Sequence, residues 1–148
     1  MASAREKNIE IKRLSIDADD GLWFCRLVAS NGHYSMTQEF YAVPDFFRDF
    51  ARNLRRFGKT LRDEAILEAG KEDETQFFRV RAFFYSGVGR AAVEVRSSDG
   101  SAAPYRTRAE FSIECETADV NRLGEQLEEW SESQLGPSFV WEPGASAI

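Results

Sequence analysis

The sequence predicts an α+β domain: an antiparallel β-meander of about six or seven strands with two amphipathic helices packed on one face. Three observations carry this. Phe77 to Glu116 reads as three consecutive strands, and one amphipathic helix, Thr117 to Glu132, follows at once. An earlier hairpin followed by a helix gives the first half of the chain the same strand-then-helix plan. Segregated strands and helices, each with one apolar side, fit a layered α+β arrangement.

Ile9 to Ile16 reads as a first strand whose apolar phase shifts between Ile11 and Leu14, the mark of a bulge around Lys12-Arg13. The polar loop Asp17 to Gly21 follows. Leu22 to Ala29, with Trp23, Phe24, Leu27 and Val28, is dense enough in apolar residues to predict a central strand buried on both faces. Asn31-Gly32 then predicts a type I′ hairpin turn, because both residues tolerate positive φ. Tyr34 to Tyr41 alternates Tyr34, Met36 and Phe40 against Ser35, Thr37 and Glu39.

The first helix is expected to start near Pro44, whose missing N–H costs nothing at the first helical position. Phe47, Phe50, Leu54 and Phe57 step by 3, 4 and 3 residues, one apolar stripe, with Arg48, Arg52, Arg55 and Arg56 opposite. Gly58 ends it. Leu61 to Ala69 reads equally as a short strand or a helical turn, and Gly70 to Thr75 as a charged loop.

In the meander, Phe78, Val80, Ala82 and Phe84 share one face, and Phe77, Arg79, Arg81, Phe83 and Tyr85 the other. Ala91, Val93 and Val95 continue the apolar face, and Ser97 to Pro104 reads as a loop. Ala109, Phe111, Ile113 and Cys115 point inward against outward Arg108, Glu110, Ser112, Glu114 and Glu116, the alternation of a sheet wet on one side. Thr117 is the expected N-cap of the second helix. Val120, Leu123, Leu127 and Trp130 repeat the 3, 4, 3 spacing of the first helix, and Gly136-Pro137 closes it. Ser138 to Glu142 reads as an edge strand or a docked tail.

At 148 residues the chain is expected to form one domain with its core over about 9–142 and frayed ends over 1–8 and 143–148. Its net charge of −6 disfavours nonspecific binding to nucleic acid or anionic lipid. No apolar run is long enough for a membrane span, and the first residues lack the apolar stretch of a signal peptide. Cys25 and Cys115 fall within strands and are expected to be buried reduced thiols, so a cytoplasmic protein is expected.

The motifs that suggest chemistry each fail on position. Gly58-Lys59-Thr60 ends like a phosphate-binding loop, but Asn53 stands where the first glycine belongs, and the loop leaves a helix instead of entering one. Counted from Asp17, a calcium loop needs glycine and glutamate where Leu22 and Val28 stand. His33 is the single histidine, beside a turn, so neither a His/Cys zinc set nor a His-activated nucleophile is expected. No two carboxylates are singled out as an acid–base pair, and Gly87-Val88-Gly89 is too short for a dinucleotide fingerprint. No cofactor, metal or catalytic residue is expected.

Charge is unevenly divided. Asp45 to Arg62 carries six positive and two negative side chains, whereas Glu110 to Glu132 carries eight negative and one positive. Asp63 to Glu74 adds six negatives and one lysine. The plain reading is solvated faces that attract each other. The functional reading is an acidic docking surface for a basic partner, built from Glu125, Glu128, Glu129 and Glu132 with Glu114, Glu116 and Asp119 at the helix entrance. A second candidate surface is Phe77, Arg79, Arg81, Phe83 and Tyr85, because aromatic and arginine side chains are enriched at binding hot spots. Its plain alternative is cross-strand pairing of the arginines with Glu94, Glu110 or Glu114 under cover of the first hairpin.

The layout resembles the small bacterial immunity-type domains that accompany polymorphic toxins, such as the WapI-like immunity group. The similar parts are the N-terminal meander, the helix beginning Pro44-Asp45-Phe46-Phe47-Arg48-Asp49-Phe50, the strands Phe77 to Glu116, and the acidic helix Asn121 to Trp130. The resemblance implies a non-enzymatic protein that occludes a toxin; it assigns no residue. Two alternatives stay open. One is a small-molecule-binding domain or enzyme with an aromatic pocket between the first helix and the sheet, lined by Trp23, Phe47, Tyr34 and Phe84. The other is a homodimer joined through its exposed aromatic face.

Overall fold

A computed structural model describes residues 6–71, 76–133 and 136–144. Residues 1–5 and 145–148 of the expected frayed ends, and residues 72–75 of the expected charged loop, lie outside them. The chain is α+β but contains two antiparallel four-stranded sheets, not one meander of six or seven strands. The first half supplies β1 (Lys7–Ile16), β2 (Trp23–Asn31) and β3 (Ser35–Ala42), then a 3₁₀ turn (Pro44–Phe47) and α1 (Arg48–Arg56). The second half supplies β4 (Glu64–Ala69), β5 (Phe77–Phe84), β6 (Ala91–Ser98), β7 (Arg108–Cys115), α2 (Thr117–Ser133) and β8 (Ser138–Trp141).

The strand after each helix joins the meander that the helix does not follow. β4 leaves α1 and pairs with β5, and β8 leaves α2 and pairs with β1. The sheets therefore run β3-β2-β1-β8 and β4-β5-β6-β7, each a three-strand meander with one added strand beside its first member. The ambiguous stretch Leu61 to Ala69 is resolved as the edge strand β4, and Ser138 onward as the edge strand β8.

One apolar cluster unites both sheets and both helices. Phe47, Phe50, Ala51, Leu54 and Phe57 are all buried, and so are Val120, Leu123, Gly124, Leu127 and Trp130, the positions 73 residues later in each case (47 to 120, 57 to 130). The same offset relates buried Phe40 to buried Ile113 on the last strand of each meander. Near the C-terminus of each helix an aromatic ring packs against the sheet of the other meander. Phe57 stacks on Phe84 with ring centres 4.6 Å apart, and Trp130 meets Trp23 edge-on at 5.3 Å. Burying a ring of this size stabilises the fold by about 2–3 kcal/mol relative to leaving it in water. Phe40 against Phe78, at 4.6 Å, joins the two sheets directly.

Local readings shift in four places. β2 is buried on one face and half-buried on the other, where Phe24 packs on Tyr41 at 4.8 Å. Its apolar density reflects one core face plus this outer pair. The hairpin tip is Gly32-His33, closed by the Asn31 N–H donating to the Tyr34 carbonyl at 3.1 Å. Gly32 stands at the first central position with φ +92°, as a type II′ turn requires. Asn31 contributes its side chain, which accepts the N–H groups of His33 and Tyr34. The β1 register slips between Arg13 and Ser15, one residue beyond the expected bulge.

The fourth shift is the start of α2. Glu116, not Thr117, is the residue before the helix, and its N–H donates to Asp119 Oδ2 at 2.9 Å. A carboxylate three positions in that reaches back to the cap is half of a capping box.

Candidate functional site

The acidic residues proposed for docking separate into three groups. Glu128 and Glu132 face α1. Arg55 Nη1 lies 2.6 Å from Glu128 Oε1, and Arg48 Nε lies 3.7 Å from Glu132 Oε1. Two arginines of the basic helix therefore meet two glutamates of the acidic one, and part of the charge partition is internal. Pairs this exposed stabilise by about 0–1 kcal/mol each, so they orient the helices more than they hold them.

Glu125 and Glu129 form the second group, one helical turn apart on α2. Both are exposed and have no ion-pair partner among the described residues. Glu116 at the helix entrance and Glu114, facing outward from β7, are also exposed. Glu114 stands opposite Ala92 on the outer face of the second sheet, so the entrance residues straddle a corner between sheet and helix.

Asp119 is a separate case. It is 5% exposed and accepts N–H groups from Glu116 and Gly144, both at 2.9 Å. Arg122 Nη1 lies 3.0 Å from Oδ1, the oxygen that also takes the Gly144 N–H, and the same guanidinium donates to the Glu142 carbonyl. Its backbone carbonyl accepts the buried Trp141 indole N–H at 2.8 Å. Burial alone would raise its pKa; the Glu116 and Gly144 N–H groups and Arg122 more than reverse this and hold the carboxyl below its usual range. Asp119 thus fastens the C-terminal segment and the start of α2, and its carboxylate is turned away from solvent.

The second candidate surface is an ion-pair lattice. Arg79 and Arg96 stand opposite each other on the outer face of the second sheet, and so do Arg81 and Glu94. Glu94 takes Arg79 at 3.1 Å and Arg81 at 3.5 Å, while Glu64 takes Arg81 at 2.7 Å. The Arg81 guanidinium also lies 3.9 Å from the centre of the Phe83 ring. Phe77 is buried and Tyr85 lies beyond the end of β5, so the five residues form no aromatic patch. The first hairpin does not cover this face: Ile66, directly opposite Arg81, is 44% exposed.

The rejected motifs have structural explanations. The Gly58, Lys59 and Thr60 N–H groups all donate to Asp63 Oδ2, at 3.0, 2.7 and 3.2 Å. This run of amides has the character of a phosphate cradle, and the protein's own carboxylate fills it. Bonds from Thr60, Lys59 and Gly58 lower the Asp63 pKa accordingly. Asp17 plays the same part in its loop, accepting the Asp19 and Asp20 N–H groups. Among the described residues no group of three His, Cys, Asp or Glu is placed to hold a metal ion. Burial pushes the Cys25 thiol up to about 11 against the charge of Arg13, and the Cys115 thiol up to about 12 with help from Asp119 and Glu116. Both stay protonated at neutral pH and are poor nucleophiles.

The aromatic pocket expected between the first helix and the sheet is absent from its place. Trp23 and Phe47 are buried against Trp130, Phe84 stacks on Phe57, and Tyr34 is 73% exposed near the hairpin tip. A recess that the sequence reading missed opens instead on the outer face of the second sheet, over Phe77, Ser98 and Arg108. Its only sequence signal is an aromatic residue on the polar side of a strand, and its neighbours depend on a register that sequence does not state. No helix among the described residues is long and apolar enough to cross a membrane. In comparisons with known proteins, no family model, curated protein or solved structure matched the chain.

Proposed function

We propose that the chain is a non-enzymatic binding protein that occludes a basic protein partner through the exposed flank of α2, acting as an immunity protein that neutralises a toxin. The observation that carries this reading is that Glu125 and Glu129 remain exposed and without an ion-pair partner among the described residues after Arg48 and Arg55 have engaged Glu132 and Glu128. Desolvating such carboxylates without a cation is unfavourable, so they select for a partner that supplies one. Glu114 and Glu116 extend the acidic field at the corner, and Asp119 contributes through the fold alone.

The test is capture of partners by tagged protein at low and high salt, with the double variant Glu125→Lys/Glu129→Lys beside the parent. Glu128 is left unchanged because its bond to Arg55 belongs to the helix pair. The expected outcome is a partner held at low salt, weakened at high salt, and lost in a double variant that melts as the parent does. Undiminished capture by the folded double variant sinks the acidic-flank reading.

A further inference from the structure

Phe77, Ser98 and Arg108 stand in one cross-strand row on the outer face of β5, β6 and β7, and Arg96 and Glu110 stand together in the next row. Between them lies a recess of about 300 Å³. That is the lower end of the range for small-molecule pockets. Phe77 is 3% exposed and Ser98 5%, although both point to the wet side of the sheet. They form the floor of the recess.

The polar groups around this floor are unequally committed. Glu110 Oε1 lies 3.3 Å from Arg96 Nε, so these two charges compensate each other. Ser98 Oγ accepts the Gly100 N–H at 3.2 Å, and its own proton has no acceptor among the described residues. Arg108 is exposed and has no ion-pair partner among them. The recess therefore offers a hydroxyl donor and, at the rim, a guanidinium with no ion-pair partner among the described residues, over a floor that shows only a small part of the Phe77 ring. The Glu110 carboxylate on its wall disfavours a dianion.

We propose that this recess binds a monoanionic carboxylate carried on a flat apolar group. The carboxylate accepts from the Arg108 guanidinium and the Ser98 hydroxyl, and the apolar group fills the recess and meets the small exposed part of Phe77. A small aromatic acid and the C-terminal carboxylate of a peptide ending in an aromatic residue share this chemistry. The site is separate from the α2 flank and stands or falls independently of it.

The test is a ¹H–¹⁵N NMR titration of the full chain with sodium phenylacetate, and with phenylacetamide as the neutral isostere. The expected result is saturable shifts at the amides of Phe77, Ser98 and Arg108 with phenylacetate and none with phenylacetamide. Arg108→Gln is expected to weaken binding by about tenfold or more, the effect of losing one charge-assisted contact. Arg108→Lys, which keeps the charge but not the fork, is expected to fall between it and the parent. A short peptide ending in phenylalanine, with a free or an amidated C-terminus, identifies the source. Tighter binding of the free-ended peptide than of phenylacetate assigns the recess to chain ends, and the reverse order assigns it to a small acid. Three results overturn the proposal: no saturable shift at millimolar phenylacetate, equal binding of the amide, or unchanged binding in Arg108→Gln.

Discussion

Helices α1 and α2 place apolar residues at the same five positions, 73 residues apart, yet they are not interchangeable. At the middle position α1 carries Ala51 and α2 carries Gly124. A Cβ on Gly124 would lie 2.7 Å from the Ala51 carbonyl oxygen and 2.8 Å from the Arg55 nitrogen, so the backbone of α1 occupies the space a side chain would need. The polar residues diverge in the same sense. Arg48 and Arg55 on α1 meet Glu132 and Glu128 on α2. Like apolar spacing gives like folds, and unlike small and charged residues make the two copies complementary. The helix pair behaves as a heteromeric interface within one chain.

The sharpest way to break this complementarity is at the crossing. Gly124→Val pushes against backbone atoms that cannot rotate away, and is expected to cost about 3 kcal/mol. Ala51→Gly leaves the crossing open and is expected to cost only about 1 kcal/mol, from helix propensity. Urea unfolding of both variants checks the asymmetry. Equal losses would mean that the two helices contribute equivalently at the contact.

A second asymmetry lies in how the helices end. The Asn121 side-chain amide of α2 donates to the carbonyls of Leu54, Arg55 and Phe57 at 2.9, 3.2 and 2.9 Å, so the last turn of α1 is closed from the other half of the chain. Thr117 fills the space beside Gly58, whose φ of +110° permits the turn that follows. Asn121→Ala is expected to cost about 2 kcal/mol, because carbonyls lose a donor within a half-buried contact. Amide exchange should accelerate across α1 more than across α2. Uniform acceleration would show that Asn121 acts on the whole fold instead of on the end of its neighbour.

How much of this was legible follows from what each pairing depends on. The alternations of Ala109, Phe111, Ile113 and Cys115 and the stripe from Phe47 to Phe57 are local; they locate β7 and the end of α1 within a residue or two, whereas the expected start at Pro44 is a 3₁₀ turn and α1 begins at Arg48. The division into two sheets is not local. A strand buried on one face alternates identically whether it belongs to a seven-strand sheet or a four-strand one. The decision rests on β8 returning to β1, where Ile9 faces Trp141 across nearly the whole chain. The candidate sites divide in the same way. Exposed Glu125 and Glu129 followed from helical periodicity, but the commitment of Asp119 to Gly144 and the row Phe77, Ser98, Arg108 both required tertiary register.

The smallest expected effect separates two carboxylates that fasten the two halves. Asp63 gathers the amides after α1, and Asp119 joins the Glu116 amide at the start of α2 to that of Gly144. In both, hydrogen bonds to the ionised form outweigh burial and hold the pKa below the usual carboxylate value. Each therefore contributes stability that is complete above the ordinary carboxylate pKa and is lost as pH falls through the lowered folded value. Asp63 sits at the surface and binds only its own turn, whereas Asp119 also holds Gly144, Arg122 and, through its carbonyl, Trp141. Asp119→Asn is thus expected to lower stability at pH 7 by about 1 kcal/mol. It should also flatten the decline in stability below about pH 4, since the variant has no proton to gain there. Asp63→Asn should change the same curve less. Denaturant melts from pH 7 to pH 2 check both. A larger acid-range change for Asp63→Asn would place the more important carboxylate lock in the first half of the chain, in the turn that follows α1.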